Sequence, residues 1–296
     1  MNILIEAAGS LTSAYLIKAI HDAGYKAVAT DISKQNASSY LADDFIKFPP
    51  VRDINLWDKV EKLIISHKID IVIPSFDEMM FGWAKIANKL KRKNINVIIS
   101  PQKTVSVFQN KWNTYIFFKE NNIPTPATSL KKDFDLVKPI YGRGAKGIQI
   151  TKENIEMNGY ISQEIIKGQE YTIDALFDIK GSPIYIIPRK RINILDGKSI
   201  KGEVDLNSKV IQYIKKISKK IKFKGPINFQ CFVNKQGIFF TEVNPRLGGG
   251  TALAFAASEN WIPLLVNNFL FRKRIKAKQV KDHLKMFRYY AEYFVS

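Results

Sequence analysis

Apolar positions in the first hundred residues follow two rhythms. Short apolar runs at residues 2–6, 26–31, 45–48, 70–74 and 95–100 have the length of strands. Between them, residues 11–23, 55–67 and 79–91 repeat apolar side chains at helical spacing. Strand and helix periods taking turns in this way predict a parallel sheet flanked by helices, an α/β lobe that closes at Pro101. The turn after the first strand, Glu6-Ala7-Ala8-Gly9-Ser10, falls at the carboxyl edge of such a sheet, where small ligands bind. It lacks the three spaced glycines of a dinucleotide fingerprint, so a structural turn is expected there.

A helical segment at 105–121 ends at Asn122-Ile123-Pro124-Thr125-Pro126, where two prolines terminate it. The pattern then changes to short strands at 136–139, 147–151, 159–164, 170–178, 184–189, 225–233 and 237–243, an antiparallel α+β region. Within 206–221, Val210, Ile211, Ile214, Ile217 and Ile221 fall at helical spacing, with Lys209, Lys215, Lys216, Lys219 and Lys220 taking most of the other positions.

That solvated lysine face changes how the formal charge of +19 is read. A clustered basic surface is how phosphate backbones are bound, but here the lysines lie along an ordinary amphipathic helix, and nucleic acid is not an expected partner. At 296 residues, two or three lobes around a shared cleft are expected. The single cysteine, Cys231, forms no internal disulfide. No apolar run approaches the roughly 20 residues that span a bilayer, and residues 1–6 lack a basic n-region and cleavage site. A cytoplasmic protein without membrane association is expected. A homodimer is left open.

The candidate chemistry lies after the prolines. Gly142-Arg143-Gly144-Ala145-Lys146-Gly147 matches GxGxxG, but strand-like residues follow it where a dinucleotide fingerprint would open a helix. Strand, glycine-rich basic turn and strand make either a flap that lays backbone N–H groups and cations on a polyphosphate or a plain hairpin turn. Lys138, ending the preceding strand, would point at the same space as the turn, and Lys111 opens a helix that leads into this lobe; an ordinary exposed lysine is the alternative for each. In Gln163–Asp174, Ile165 and Ile166 could offer backbone to an adenine edge and Glu170 could accept ribose hydroxyls; a surface hairpin is the alternative. Later, Asn228 and Gln230 share one strand face, as do Glu242 and Asn244. If these strands pair through a hairpin at 234–237, four oxygen-bearing side chains meet, a set of hard ligands suited to Mg²⁺. Arg246 follows directly, before Gly248-Gly249-Gly250, which could equally be a close-packed turn. Asp77 and Glu78 either hold an amine or start a helix, the latter being preferred. Arg189 and Arg191 lie on one strand face as a clamp for phosphate or an acidic substrate, or as a salt-bridged surface pair. His21, His67 and His283 stand apart from all of these motifs.

The ordered set Lys111, Lys138-Pro139, the 142–147 turn, Gln163-Glu164 through Glu170, Asn228-x-Gln230 and Glu242-x-Asn244-Pro245-Arg246 resembles the ATP-grasp superfamily, nearest to the carbamoyl phosphate synthetase large-subunit type and its stand-alone carboxylate–amine ligase relatives. The resemblance implies a pre-ATP-grasp, Rossmann-like domain at 1–101 and a two-lobed ATP-grasp domain at 102–296, with a flap lobe at about 125–175 and a metal-binding lobe at about 176–296. It implies ATP and Mg²⁺ (or Mn²⁺) as cofactors. Lys111, Lys138, Gly142, Arg143, Gly144, Lys146 and Gly147 would serve the phosphates, Glu164, Ile165 and Ile166 the adenine, and Glu170 the ribose. Gln230, Glu242 and Asn244 would hold the metal, and Arg246, with Lys138, would be catalytic. The implied activity joins a small-molecule carboxylate to an amine through an acyl phosphate, releasing ADP and phosphate. A bicarbonate-phosphorylating enzyme of the carbamoyl phosphate synthetase kind and a non-catalytic ATP-binding module are the alternatives.

Overall fold

The computed structural model describes residues 1–195, 198–289 and 291–295. Its first hundred residues form a five-stranded parallel sheet in the order Asp44–Lys47, Lys26–Asp31, Asn2–Ile5, Ile71–Ile73 and Asn96–Val97. The central strands are continuous apolar runs because both faces are covered. Ile3 and Ile5 pack with Leu16, Ile17 and Ile20 of the helix Ser13–Asp22. Leu4 faces the other way, toward Val60 and Ile64 of Leu56–Ser66 and Met80 and Trp83 of Asp77–Lys91.

The segment expected as one helix at 105–121 is two, Gln102–Gln109 and Lys111–Glu120. Asn110 breaks it with extended backbone (φ −106°, ψ 116°), and its side chain caps the second helix by accepting from the Asn113 N–H. A hydroxyl- or amide-bearing cap inside an apolar period is easily passed over when only the period is followed.

The remainder is antiparallel, as the strand-rich pattern predicts. A four-stranded sheet runs Thr128–Ser129, Tyr160–Gln163, Leu136–Pro139 and Gln149–Ile150. A six-stranded sheet runs Gly237–Asn244, Gly225–Asn234, Gln169–Phe177, Pro183–Leu195, Lys198–Val204 and Lys285–Phe287. Pro183–Leu195 is longer than the 184–189 expected from sequence, and Lys198–Val204 was not expected at all. Both are rich in lysine and arginine, which hides strand alternation from a hydropathy reading. One face of the six-stranded sheet is apolar. Ile173, Ala175, Phe177, Ile227 and Phe229 bury there against Val210, Ile214 and Ile217 of the helix Ser208–Ser218. Its lysine residues stay on the outer side, as the amphipathic pattern requires. No helix among the described residues is long and apolar enough to cross a membrane.

Candidate nucleotide and acyl-transfer cleft

The opposite face of the six-stranded sheet is polar, and its register is set by strand pairing. Asn228 lies opposite Asn244, and Gln230 opposite Glu242, through the hairpin at 234–237. On the next strand Asp174 faces Asn228 and Thr172 faces Gln230, while Arg189 lies beyond Thr172. Part of this face is sealed. Asp174 accepts from Arg189 Nε at 2.8 Å and from Asn228 Nδ2 at 2.7 Å, and all three side chains are buried. Gly248 and Gly250 lie against them. A Cβ on Gly248 would stand 2.2 Å from Asn228 Nδ2, and one on Gly250 would stand 2.5 Å from Arg189 Cζ. The glycine run is therefore a close-packed turn leading into the helix Thr251–Ala257.

The rest of the face opens into a cleft of about 750 Å³. Glu170, Arg191, Asn228, Gln230, Glu242, Asn244 and Arg246 line one wall, Arg143, Gly144, Ala145 and Ile148 the flap side, and residues from the carboxyl edge of the parallel sheet the other wall. Glu170 accepts from Arg191 Nη1. Arg246 makes a bidentate pair with Asp77, Nε to Oδ1 at 2.7 Å and Nη2 to Oδ2 at 2.6 Å. Burial works against its charge, but Asp77, together with the Glu242 and Glu78 carboxylates, outweighs this and holds its pKa above the ordinary arginine value.

Asp77 and Glu78 form the first turn of the helix Asp77–Lys91, as the helix-start reading has it. Both also take part in pairs across the cleft. Glu78 Oε2 accepts from Arg143 Nε at 2.9 Å, and the Arg143 guanidinium sits 4.3 Å from the centre of the Phe76 ring. The flap itself is a strand–turn–strand unit, with Leu136 opposite Ile150 and Val137 opposite Gln149. Its turn passes through left-handed backbone at Gly144 (φ 63°), Ala145 (φ 59°) and Gly147 (φ 74°). Gly147 admits no side chain in any case, since a Cβ would stand 2.9 Å from Pro139 Cγ.

Lys138 is buried behind this turn and donates to Gln163 Oε1 at 2.8 Å. Burial pushes its pKa down to about 8, with Lys111 adding to the shift and Glu242 opposing it. Lys111 Nζ donates to the Gly142 carbonyl at 2.9 Å and so ties the helix Lys111–Glu120 to the flap. Glu164 is exposed and accepts from the Ala127 N–H at 3.2 Å; Ile165 is exposed beside it.

The cleft lining thus brings together Asp77, Arg143, Gly144, Glu170, Arg191, Asn228, Gln230, Glu242, Asn244 and Arg246. It does not include Glu78, Lys111, Lys138, Gly142, Lys146, Gly147, Glu164, Ile165, Ile166 or Arg189. Arg189 in particular lies under Gly250 in its pair with Asp174, neither on the surface nor facing the cleft. The three histidines pair with surface carboxylates, His21 with Asp43, His67 with Asp44 and His283 with Glu203, away from the cleft.

Sequence reasoning overlooked Glu6 and Asp174. Glu6 ends the first strand and lines the cleft while 3% exposed. It accepts from Trp83 Nε1 at 2.6 Å, Ser75 N–H at 2.9 Å and Phe76 N–H at 3.2 Å. Burial nevertheless outweighs these donors and pushes its pKa up to about 7. A lone carboxylate closing an otherwise apolar strand was the available signal. Asp174 offered none beyond its even-numbered place on a strand.

Comparison with known proteins agrees with this geometry. Residues 3–98 match the PylC-like N-terminal domain family and residues 108–250 the ATP-grasp domain family. The carbamoyl phosphate synthase large chain of Clostridium botulinum is 26% identical over 276 residues, 79% of this chain and 25% of that protein. The chain thus spans about a quarter of the length of that relative. Tyramine–L-glutamate ligase of Methanocaldococcus jannaschii is 27% identical over 221 residues, covering 70% of this chain and 67% of the relative. Among solved structures, the biotin carboxylase domain of Hydrogenobacter thermophilus 2-oxoglutarate carboxylase, complexed with MgADP, ADP and bicarbonate, superposes with a TM-score of 0.74 at 15% identity, over 96% of this chain and 73% of that one. Both parts of the chain are thus matched in order: residues 3–98 form a PylC-like N-terminal domain and residues 108–250 an ATP-grasp domain.

Proposed function

We propose that the protein is an ATP-dependent carboxylate–amine ligase working in this cleft. The observation that carries the reading is the register that sets Gln230 opposite Glu242 and Asn228 opposite Asn244, with Arg246 two residues on, along a cleft faced by the flap. Gln230, Glu242 and Asn244 present hard oxygen donors in one place, which suits Mg²⁺. No three His, Cys, Asp or Glu side chains converge among the described residues, so Glu242 would be joined by amide oxygens and by the phosphates themselves. Bound there, the metal would neutralise phosphate charge.

The chain's own groups account for the rest. Lys138 and Lys111 lie behind the flap, where its closure brings ammonium charge and backbone N–H groups to a triphosphate. Glu170, freed from Arg191, would accept ribose hydroxyls, with Glu164, Ile165 and Ile166 at the adenine. An acceptor carboxylate oxygen attacks the γ-phosphorus as its bond to the bridging oxygen breaks, giving an acyl phosphate and ADP. An amine nitrogen then attacks the acyl carbon, loses a proton and expels phosphate. Arg246 stabilises the charge that develops in both steps.

The similarity to a tyramine–glutamate ligase favours an amino-acid carboxylate and a small amine as substrates. ADP release from MgATP over a panel of free amino acids, bicarbonate and amines tests this. Release that depends on an organic carboxylate, with hydroxylamine trapping its acyl group, is expected. Release with bicarbonate equal to that with every organic acid supports the carbamoyl phosphate synthetase alternative instead. MgATP binding unchanged by Lys138→Ala, measured by calorimetry, would remove the nucleotide site.

A further inference from the structure

Arg246 is held by groups from distant parts of the chain. Asp77, 169 residues earlier, accepts from its Nε and Nη2, and Asn244 Oδ1 lies 3.4 Å from the same Nη2. Its Nη1 donates to the Leu247 carbonyl at 2.9 Å. A guanidinium carries five N–H donors, so these contacts leave one Nη1–H for a ligand.

Asp77 is itself fixed. The two residues before it are pinned by Glu6, which accepts from the Ser75 and Phe76 N–H groups at 2.9 and 3.2 Å. On the other side, the Gln109 side-chain amide donates to the Asp77 carbonyl. A carboxylate anchored this firmly through its backbone, bound by both oxygens to the Arg246 guanidinium and with Arg143 Nε a further 4.0 Å from its Oδ2, is badly suited to follow an amine substrate. It is well suited to restrict a long, rotamer-rich arginine to one geometry before substrate arrives.

We infer that Asp77 is a positioning residue, supplied by the N-terminal domain, which presets Arg246 at the end of the strand bearing Glu242 and Asn244. The inference rests on the ligase reading of Arg246. It makes the acyl-transfer site incomplete without the parallel-sheet domain, and assigns Asp77 no contact with substrate.

The test compares Asp77→Asn, Asp77→Glu, Arg246→Ala and the Asp77→Asn/Arg246→Ala pair in the full chain. It reads ADP release with the same panel of amino acids, bicarbonate and amines, alongside calorimetric MgADP affinity. Asp77→Asn is expected to lower kcat by about 10- to 100-fold while leaving the KM for ATP within about twofold, since it disturbs an interaction made mainly in the transition state. Asp77→Glu should recover a large part of the loss, and the double variant should be no slower than Arg246→Ala alone. A wild-type kcat in Asp77→Asn, losses that multiply in the double variant, or a loss matched by weaker MgADP binding each overturns the inference. If Arg246→Ala itself turns over at the wild-type rate, the ligase reading of that residue fails and takes this inference with it. If only Asp77→Asn is silent, the ligase reading stands and the positioning role alone falls.

Discussion

The polar face of the six-stranded sheet has two halves built from the same kinds of residue. In one, Asp174 accepts from both Arg189 and Asn228 beneath Gly248 and Gly250; all three are buried, Arg189 Nη1 is left without a hydrogen-bond partner, and Asn228 stands at the border with the cleft. In the other, Gln230, Glu242, Glu170 and Arg191 open to the cleft. Strand alternation puts both halves on one face, so what separates structure from chemistry here is the loop that covers one half and leaves the other uncovered. A sealed charge is costly unless it is paired, as Arg189 is with Asp174, whereas an open one keeps capacity for a ligand.

The largest effect expected from this contrast is on stability. Asp174→Ala leaves Arg189 buried without its carboxylate and should cost about 3–5 kcal/mol in urea denaturation. Glu242→Ala, on the open half of the same face, should shift stability by only about 0.5 kcal/mol while weakening productive use of MgATP. Equal destabilisation by the two variants would erase the distinction. The covering loop offers a second, smaller test. Gly250→Ala drives a methyl group toward a guanidinium that its ion pair prevents from moving aside, and a loss of about 1–3 kcal/mol is expected from thermal or urea unfolding. Full stability in Gly250→Ala would mean that the loop does not seal this half.

The smallest effect concerns protons. With a pKa near 8, Lys138 is about half neutral at pH 8 without ligand. Phosphate beside it favours the charged form and raises that pKa. MgATP binding at pH 8 should therefore take up a fraction of a proton, seen by calorimetry in buffers of different ionisation enthalpy. Near pH 6, where the lysine is already charged, uptake should vanish, and Lys138→Arg should abolish it throughout. Uptake persisting in Lys138→Arg would assign the proton to another group, Glu6 being the first to examine because its pKa is near 7.

Much of the cleft was legible because strands obey a period of two. The meeting of Gln230 with Glu242 and of Asn228 with Asn244 needs only alternation and one hairpin, and both are written locally. The flap was readable for a similar reason, since strand character on both sides of a glycine-rich turn excludes a helix opening. The helix start at Asp77 was also foreseen from the strand that precedes it. Partners across the cleft were not readable. Nothing near Arg246 names Asp77, and nothing near Arg143 names Glu78, because each pair joins elements whose approach depends on how the parallel sheet packs against the antiparallel one. Arg189 and Arg191 show the same limit at close range. Two residues apart on one strand face, one is sealed with Asp174 and the other lines the cleft with Glu170.

By itself the sequence determined the succession of a parallel α/β unit and an antiparallel region, the strand faces that carry oxygen donors, and the glycine-rich flap. These follow from backbone periodicity and from local turn chemistry, which act over a few residues. Tertiary structure alone decided which carboxylate holds which guanidinium, and which half of the polar face is closed by Gly248–Gly250. It also decided that Glu6 and Lys138 titrate near neutrality. Burial and ion pairing are properties of what surrounds a side chain in space, and that surrounding is assembled from segments far apart in the chain.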